Sequence, residues 1–334
     1  MYARPILVRK ILTTLILCAP ALTAGAQSGF VERMDSILAA RRERLAAKYD
    51  TAYIGLPDKK WTVKLRTTAH GTDLNTKGTL EGMAFSSMLK TDISATVGAN
   101  ISYRGLTLGF SINPAKLYGK NKDNTFTLSS YGNRMGIDLS YSSANTFSGK
   151  AEYGGEKRRI AAGKVGMDLL ETNVYYSFNR RKFSFPAVFT QSQVQKHSCG
   201  TWLAALSAFA GKFTTGDGTI PGLANSELSM LNVAVGAGYA YNFALRRKWL
   251  LHISATPQLV VYSRARLLVG GDRQRAPFKF PALTNVGRIA ATYNFRNSFM
   301  GMYVVVNTWN MGDRDKMSTG IIRWRARMFY GIRF

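Results

Sequence analysis

Two histidine–serine neighbours mark where this 334-residue chain could activate a hydroxyl with a base. His197 and Ser198 are adjacent, so on a strand they point to opposite faces and one cannot serve the other. His252 and Ser254 share a face, yet no acid in their vicinity would orient the imidazole. His70, His197, His252 and Cys199 show no ligand-like spacing, so neither a metal nor a cofactor is expected. Cys199 is the one cysteine beyond the leader, which excludes an internal disulfide. The expectation is a protein without catalytic residues, with lipid hydrolysis as the enzymatic alternative.

A second chemistry is written in the bases. Near the C-terminus, Arg323, Arg325, Arg327 and Arg333 share one parity, while Ile322, Trp324, Met328, Tyr330, Ile332 and Phe334 hold the other. Alternate residues of a strand face opposite ways, so one face is apolar and the other mostly guanidinium. Lys64 and Arg66 alternate in the same way with Trp61, Val63 and Leu65, and Arg288 adds another base. If the first and last strands are neighbours, these cations share one seam and need acids or anions between them. Asp92, Asp138 and Glu171 are the candidate acids. Two readings stay open here: a static, salt-bridged interior, or an anion path or binding site.

The elements that would carry these residues are strands. From Lys60 onward the hydrophobic period is two, over twelve segments near 60–70, 89–103, 105–113, 124–131, 134–143, 170–179, 197–210, 228–243, 248–263, 283–295, 298–309 and 319–334. Short connections (104, 132, 180, 245, 297) alternate with long ones (71–88, 114–123, 144–169, 211–227, 264–282, 310–318), the pattern of a transmembrane antiparallel β-barrel with tight periplasmic turns and longer outer loops. Trp61, Tyr103, Phe178, Tyr241, Phe243, Trp249, Phe295 and Phe334 fall near the periplasmic ends, as an aromatic girdle should. Arg4, Arg9 and Lys10, an apolar run and Ala24-Gly25-Ala26 predict a signal peptide over 1–26. Residues 27–59 read as a periplasmic amphipathic helix and linker, open to a periplasmic partner, and 60–334 as the barrel. The net charge of +26 suits lipids and lipopolysaccharide of a Gram-negative outer membrane. No basic, aromatic-bearing module facing solution supports nucleic-acid binding. Phe334, an aromatic last residue, suits recognition by the barrel-assembly machinery.

The block Tyr175-Tyr176-Ser177-Phe178-Asn179-Arg180-Arg181-Lys182-Phe183-Ser184-Phe185-Pro186-Ala187-Val188-Phe189-Thr190-Gln191-Ser192, followed by Gln195-Lys196 and Ser198, is not required by barrel physics. It resembles a domain-of-unknown-function family of outer-membrane barrel proteins, as do Gly238 to Asn242, Trp249 to Pro257 and Gly287 to Ala290. The likeness runs from about Asp50 to Phe334, with Cys199 standing where a small residue such as alanine is expected. It implies location and fold and carries no functional residue. Pro186 cannot donate to a strand ladder, so the stretch from Phe183 to Gln195 is read either as an inward fold that partly plugs the lumen or as a bulged start to the seventh strand. The function classes left are a narrow anion-preferring channel or small-anion binding barrel, and an envelope-organising barrel without transport.

Overall fold

The computed structural model describes residues 26–80, 82–103, 106–117, 123–216, 219, 225–246, 248–275, 279–313 and 316–334. The signal peptide read over 1–26 lies outside these, apart from Ala26, which opens helix α1 (Ala26–Ala46). That helix is where the sequence puts it, but its apolar and charged residues interleave around the axis and segregate only weakly. It belongs to a unit ending at Lys48, and a second compact unit runs from Tyr49 to Phe334. The linker joins the second unit because strand β1 (Ile54–Gly55) pairs with β11 (Val194–Gln195). Among the described residues no helix is long and apolar enough to cross a membrane.

The other sixteen described strands form one antiparallel sheet. Its wall consists of β2 (Trp61–Leu80), β3 (Met83–Lys90) with β4 (Ser94–Tyr103), β5 (Leu106–Ile112), β6 (Asn124–Tyr131), β7 (Met135–Ala144) and β10 (Val165–Ser177). It continues through β12 (Cys199–Thr215), β13 (Ser226–Leu245), β14 (Trp249–Val269), β16 (Leu283–Asn294), β17 (Ser298–Asp313) and β18 (Met317–Arg333). Because β3 and β4 both pair with β2, one after the other, they make a single stave and the wall has twelve. The last stave pairs with the first along Met317↔Gly78 to Arg333↔Thr62. One edge of the sheet is β6. Past β2 the sheet forks, with β4 and then β5 beside residues 61–70, and β3, then β8 (Ser148–Tyr153) and β9 (Glu156–Ile160), beside residues 73–80.

Several stretches expected as long loops are strand. The stretch 71–88 is a hairpin extension of β2 and β3, and 310–318 is mostly β17 and β18. Their polar side chains belong to ladders that run past the apolar belt, where period-two hydrophobicity fades while backbone pairing continues. The stretch 144–169 holds a hairpin of β8 (Ser148–Tyr153) and β9 (Glu156–Ile160), and β8 pairs with β3. A short strand, β15 (Asp272–Arg275), pairs with β14.

Outward-facing side chains are apolar and exposed on stave after stave: Leu65, Ile137, Leu206, Val235, Ile253 and Met302 are examples. A charge at such positions costs roughly 2–4 kcal/mol at the bilayer midplane, which is why the bases turn inward. At the end carrying the barrel termini (the proximal end), rings pair between neighbouring staves: Trp61 with Tyr103 at 4.6 Å, Trp202 with Tyr239 at 5.1 Å and Trp249 with Tyr293 at 4.8 Å. Of the girdle read from the sequence, Trp61, Tyr103 and Trp249 thus touch rings on neighbouring staves, and Trp202, Tyr239 and Tyr293 add to it.

The lumen is stacked in three layers. At the distal end Phe147, Phe209, Trp309 and Ile321 are sealed in an apolar cluster. At the proximal end the segment between β10 and β12 folds inward. A short helix, α3 (Phe185–Phe189), has all five residues buried, with Pro186 in its first turn, where a missing N–H costs nothing. The inward plug is thus the reading the structure supports, and Pro186 is explained by a helix start rather than a bulge. The other short helix, α2 (Pro114–Leu117), follows β5. Between the two apolar layers lies a charged one.

Candidate functional site

Inward parity on β2, β7, β10, β16 and β18 assembles the charged layer. The antiparallel register of β18 with β2 sets Arg323 opposite Thr72, Arg325 opposite His70 and Arg327 opposite Thr68, while Lys64 faces Gly331 and Arg66 faces Phe329. No lysine or arginine named on this seam thus faces another directly, although Arg325 faces His70. The ladder answers the repulsion expected from the sequence by staggering the charges.

Two carboxylates neutralise part of the set. Glu171, fully buried, accepts from Arg323 Nη1 at 2.7 Å, Trp309 Nε1 at 2.9 Å and Asn307 Nδ2 at 3.0 Å. Asp138 accepts from Tyr131 Oη at 2.7 Å and lies 3.3 Å from Arg288 Nη2 and 3.4 Å from Arg325 Nη2. These pairs span the lumen, from β7 and β10 to β16 and β18, and so tie the curled sheet across its own interior. Two of the acids read from sequence are in the network. Asp92 is not: it is exposed in the break at 91–93 between β3 and β4, where its backbone N–H donates to Thr146 Oγ1 at 3.1 Å. Parity carried back from β4 places it inside, but the strand has not yet begun there.

Among the described residues no carboxylate reaches Lys64, Arg66 or Arg327. All three line a cavity of about 380 Å³ in the charged layer, which Arg323, Arg325, Asp138 and Glu171 also border. Five cations against two carboxylates leave that space electropositive. Arg327 Nε donates to Thr68 Oγ1 at 2.9 Å and its guanidinium lies 5.4 Å from the Tyr303 ring centre. Lys64 Nζ donates to Gln191 Oε1 at 3.1 Å and the Thr190 carbonyl at 3.3 Å, reaching the plug. Arg333 does the same from β18: its Nη2 donates to the Gln191 carbonyl at 3.2 Å, and its guanidinium covers the Phe299 ring at 4.3 Å. Phe299 in turn lies over Gly331, where no Cβ would fit. The seven luminal bases therefore divide: Arg288, Arg323 and Arg325 are ion-paired, Arg333 and Lys64 grip the plug, and Lys64, Arg66 and Arg327 face the cavity.

The histidine–serine pair gains a partner that the sequence left unseen. His252 Nδ1 is 2.7 Å from Asn242 Oδ1, and its Nε2 is 3.1 Å from Ser254 Oγ. Asn242 Nδ2 donates to the Ser184 carbonyl at 3.0 Å and to Gln195 Oε1 at 3.2 Å. That fixes the amide oxygen toward His252, so Nδ1 carries the proton and Ser254 donates to Nε2. The order is that of a serine–histidine–amide relay. It is packed under the plug, with the Phe183, Phe185 and Phe189 rings 6.2, 5.5 and 5.4 Å from the imidazole. Asn242 stands directly opposite His252 in the β13–β14 hairpin, so counting back equally from the turn would have found it. His197 is exposed and Ser198 Oγ accepts from the Ala244 N–H at 2.9 Å, so the two are separately engaged.

A family model described as a domain of unknown function, DUF4421, matches residues 48–334. The chain belongs to that family. The match spans the second unit, from the linker through the plug to the last stave. No curated protein matches the chain. Among solved structures it is similar to the translocator domain of the autotransporter NalP from Neisseria meningitidis, at 8% identity and a TM-score of 0.29, covering 92% of this chain and 98% of that one. It is also similar to the outer-membrane protein OprG from Pseudomonas aeruginosa (9%, 0.28, covering 83% and 97%) and to the toluene transporter TodX of P. putida (8%, 0.27, covering 83% and 91%). At these scores the likenesses carry no argument, and the fold stands on the strand pairing itself.

Proposed function

We propose that this member of the DUF4421 family is an outer-membrane barrel that binds a small anion inside its wall instead of conducting ions along its axis. The observation that carries the reading is the cavity bordered by Lys64, Arg66 and Arg327, none of which is ion-paired with a carboxylate among the described residues. Apolar layers at both ends oppose an open pore: Phe147 and Trp309 on one side, Phe185 and Val188 on the other, each at most 1% exposed. Guanidinium groups suit phosphate or carboxylate because their planar fork matches two oxygens. The apolar exterior and the girdle support a place in a bilayer, and strands cross lipid only as barrels. The proximal end is then periplasmic, Phe334 is offered to the assembly machinery, and the exposed Lys157, Arg158 and Arg159 on β9 face lipopolysaccharide phosphates. The reading is of a binding protein and not of an enzyme, since the Ser254 relay is covered by aromatic side chains.

The test pairs two measurements on the purified full chain. Titration with inorganic phosphate should give saturable binding that Lys64→Gln, Arg66→Gln and Arg327→Gln together abolish. A planar bilayer should show little steady current. Large anion-selective current would make the protein a channel, and no phosphate binding by a folded protein would leave an envelope-organising barrel.

A further inference from the structure

Two edge strands of the sheet, β5 and β6, follow one another in the chain. Among the described residues β5 pairs only with β4, and β6 only with β7. The facing edges of β5 and β6 are therefore not laddered to one another. Unpaired N–H and C=O groups are costly in hydrocarbon, which makes these edges the weakest line of the wall. On the outer face both strands are apolar and exposed: Leu108 is 77% exposed, Phe110 63%, Phe126 61% and Leu128 56%. On the inner face Ser111 of β5 and Thr125, Thr127 and Ser129 of β6 border the cationic cavity. His70 Nε2 lies 2.9 Å from Thr125 Oγ1, so β6 leans toward β2 behind the gap. Polar space thus lies on one side of the seam and an apolar surface on the other, while both axial ends are filled.

We propose that the β5–β6 seam is a lateral doorway and that the cavity takes an anionic amphiphile from the bilayer. A phosphate-bearing head would sit among Lys64, Arg66 and Arg327, and its acyl chain would lie outside against Leu108, Phe110, Phe126 and Leu128. The cavity volume, about 380 Å³, falls in the range of small-ligand sites, roughly 300–1,000 Å³, and suits a head group without its tail. This deepens the anion-binding reading and rests on it.

The experiment compares dodecyl phosphate with inorganic phosphate on the full chain in neutral-lipid nanodiscs. A second arm uses Ile112→Cys with Asn124→Cys in a Cys199→Ser background, bridged by a short bismaleimide to hold the seam shut. Dodecyl phosphate should bind tighter by about tenfold or more, the advantage that burial of two methylenes gives. Bridging should remove that advantage and leave inorganic phosphate binding in place. Equal affinity for the two ligands, or an advantage that survives bridging, overturns the doorway while the anion site stands. Binding of both ligands that is indifferent to Lys64→Gln, Arg66→Gln and Arg327→Gln overturns the anion site itself. If the triple variant does not fold, Arg66→Gln alone serves, because among the described residues its side chain bonds to no other element.

Discussion

Trp61 and Phe334 exchange backbone hydrogen bonds, Trp61 N–H to the Phe334 carbonyl at 3.0 Å and Phe334 N–H to the Trp61 carbonyl at 3.1 Å. The first residue of the first stave is thereby latched to the last residue of the chain. Deleting Phe334 removes both bonds at about 0.5–1.5 kcal/mol each. The unfolding free energy in liposomes should fall by about 1–3 kcal/mol, read from a urea titration. Phe334→Ala keeps the bonds and should hold most of that stability, while lowering the folded yield in cells if the ring is what the assembly machinery reads.

Asp138 holds Arg288 and Arg325 at once. Asp138→Ala leaves two cations in the lumen without their shared acid, and removing one partner of a buried pair costs about 3–5 kcal/mol. Adding Arg288→Met should restore a large part of that loss. Recovery in the double variant, measured by the same titration, separates stranded charge from lost packing.

Asn242→Ala should loosen the plug. It strips His252 of its Nδ1 partner and the Ser184 carbonyl of its donor, at about 1–3 kcal/mol for each stranded buried group. A thiol placed at Ser192, beside the plug helix, should react faster with a periplasmic reagent in that variant. In the native protein a fluorophosphonate should leave Ser254 unlabelled, and stoichiometric labelling would revive the hydrolase reading.

Replacing residues 185–190 with a glycine–serine linker should not by itself create a pore. The distal cluster around Phe147, Phe209 and Trp309 still blocks the axis. Current in a planar bilayer is expected only when Phe147→Ala and Trp309→Ala are added, and it should then favour anions.

Much of the wall was legible because lipid enforces alternation. Most staves alternate apolar with polar or small residues, less cleanly over 283–295 and 299–309, so most staves and the inward turn of Lys64, Arg66 and Arg323 could be read directly. Beyond the belt that pressure ends, and 71–88 looked like loop although residues 74–80 of β2 pair one by one with residues 83–89 of β3. Asp92 misled because parity counts only inside a strand. The division of bases between Glu171, Asp138 and the cavity was not readable, since it depends on which staves meet across the lumen. The plug was half readable: Pro186 excluded a central strand, but only the packing of Phe189 against Tyr131 at 4.7 Å and Tyr303 at 5.1 Å shows where the segment goes.

Lys64 and Arg333 hold the plug from two staves that pair with one another, one near the start of the barrel and one at its end. That grip is complete only when these two staves, far apart in sequence, have come together. The seam that joins the first and last staves thus also holds the middle of the polypeptide in place.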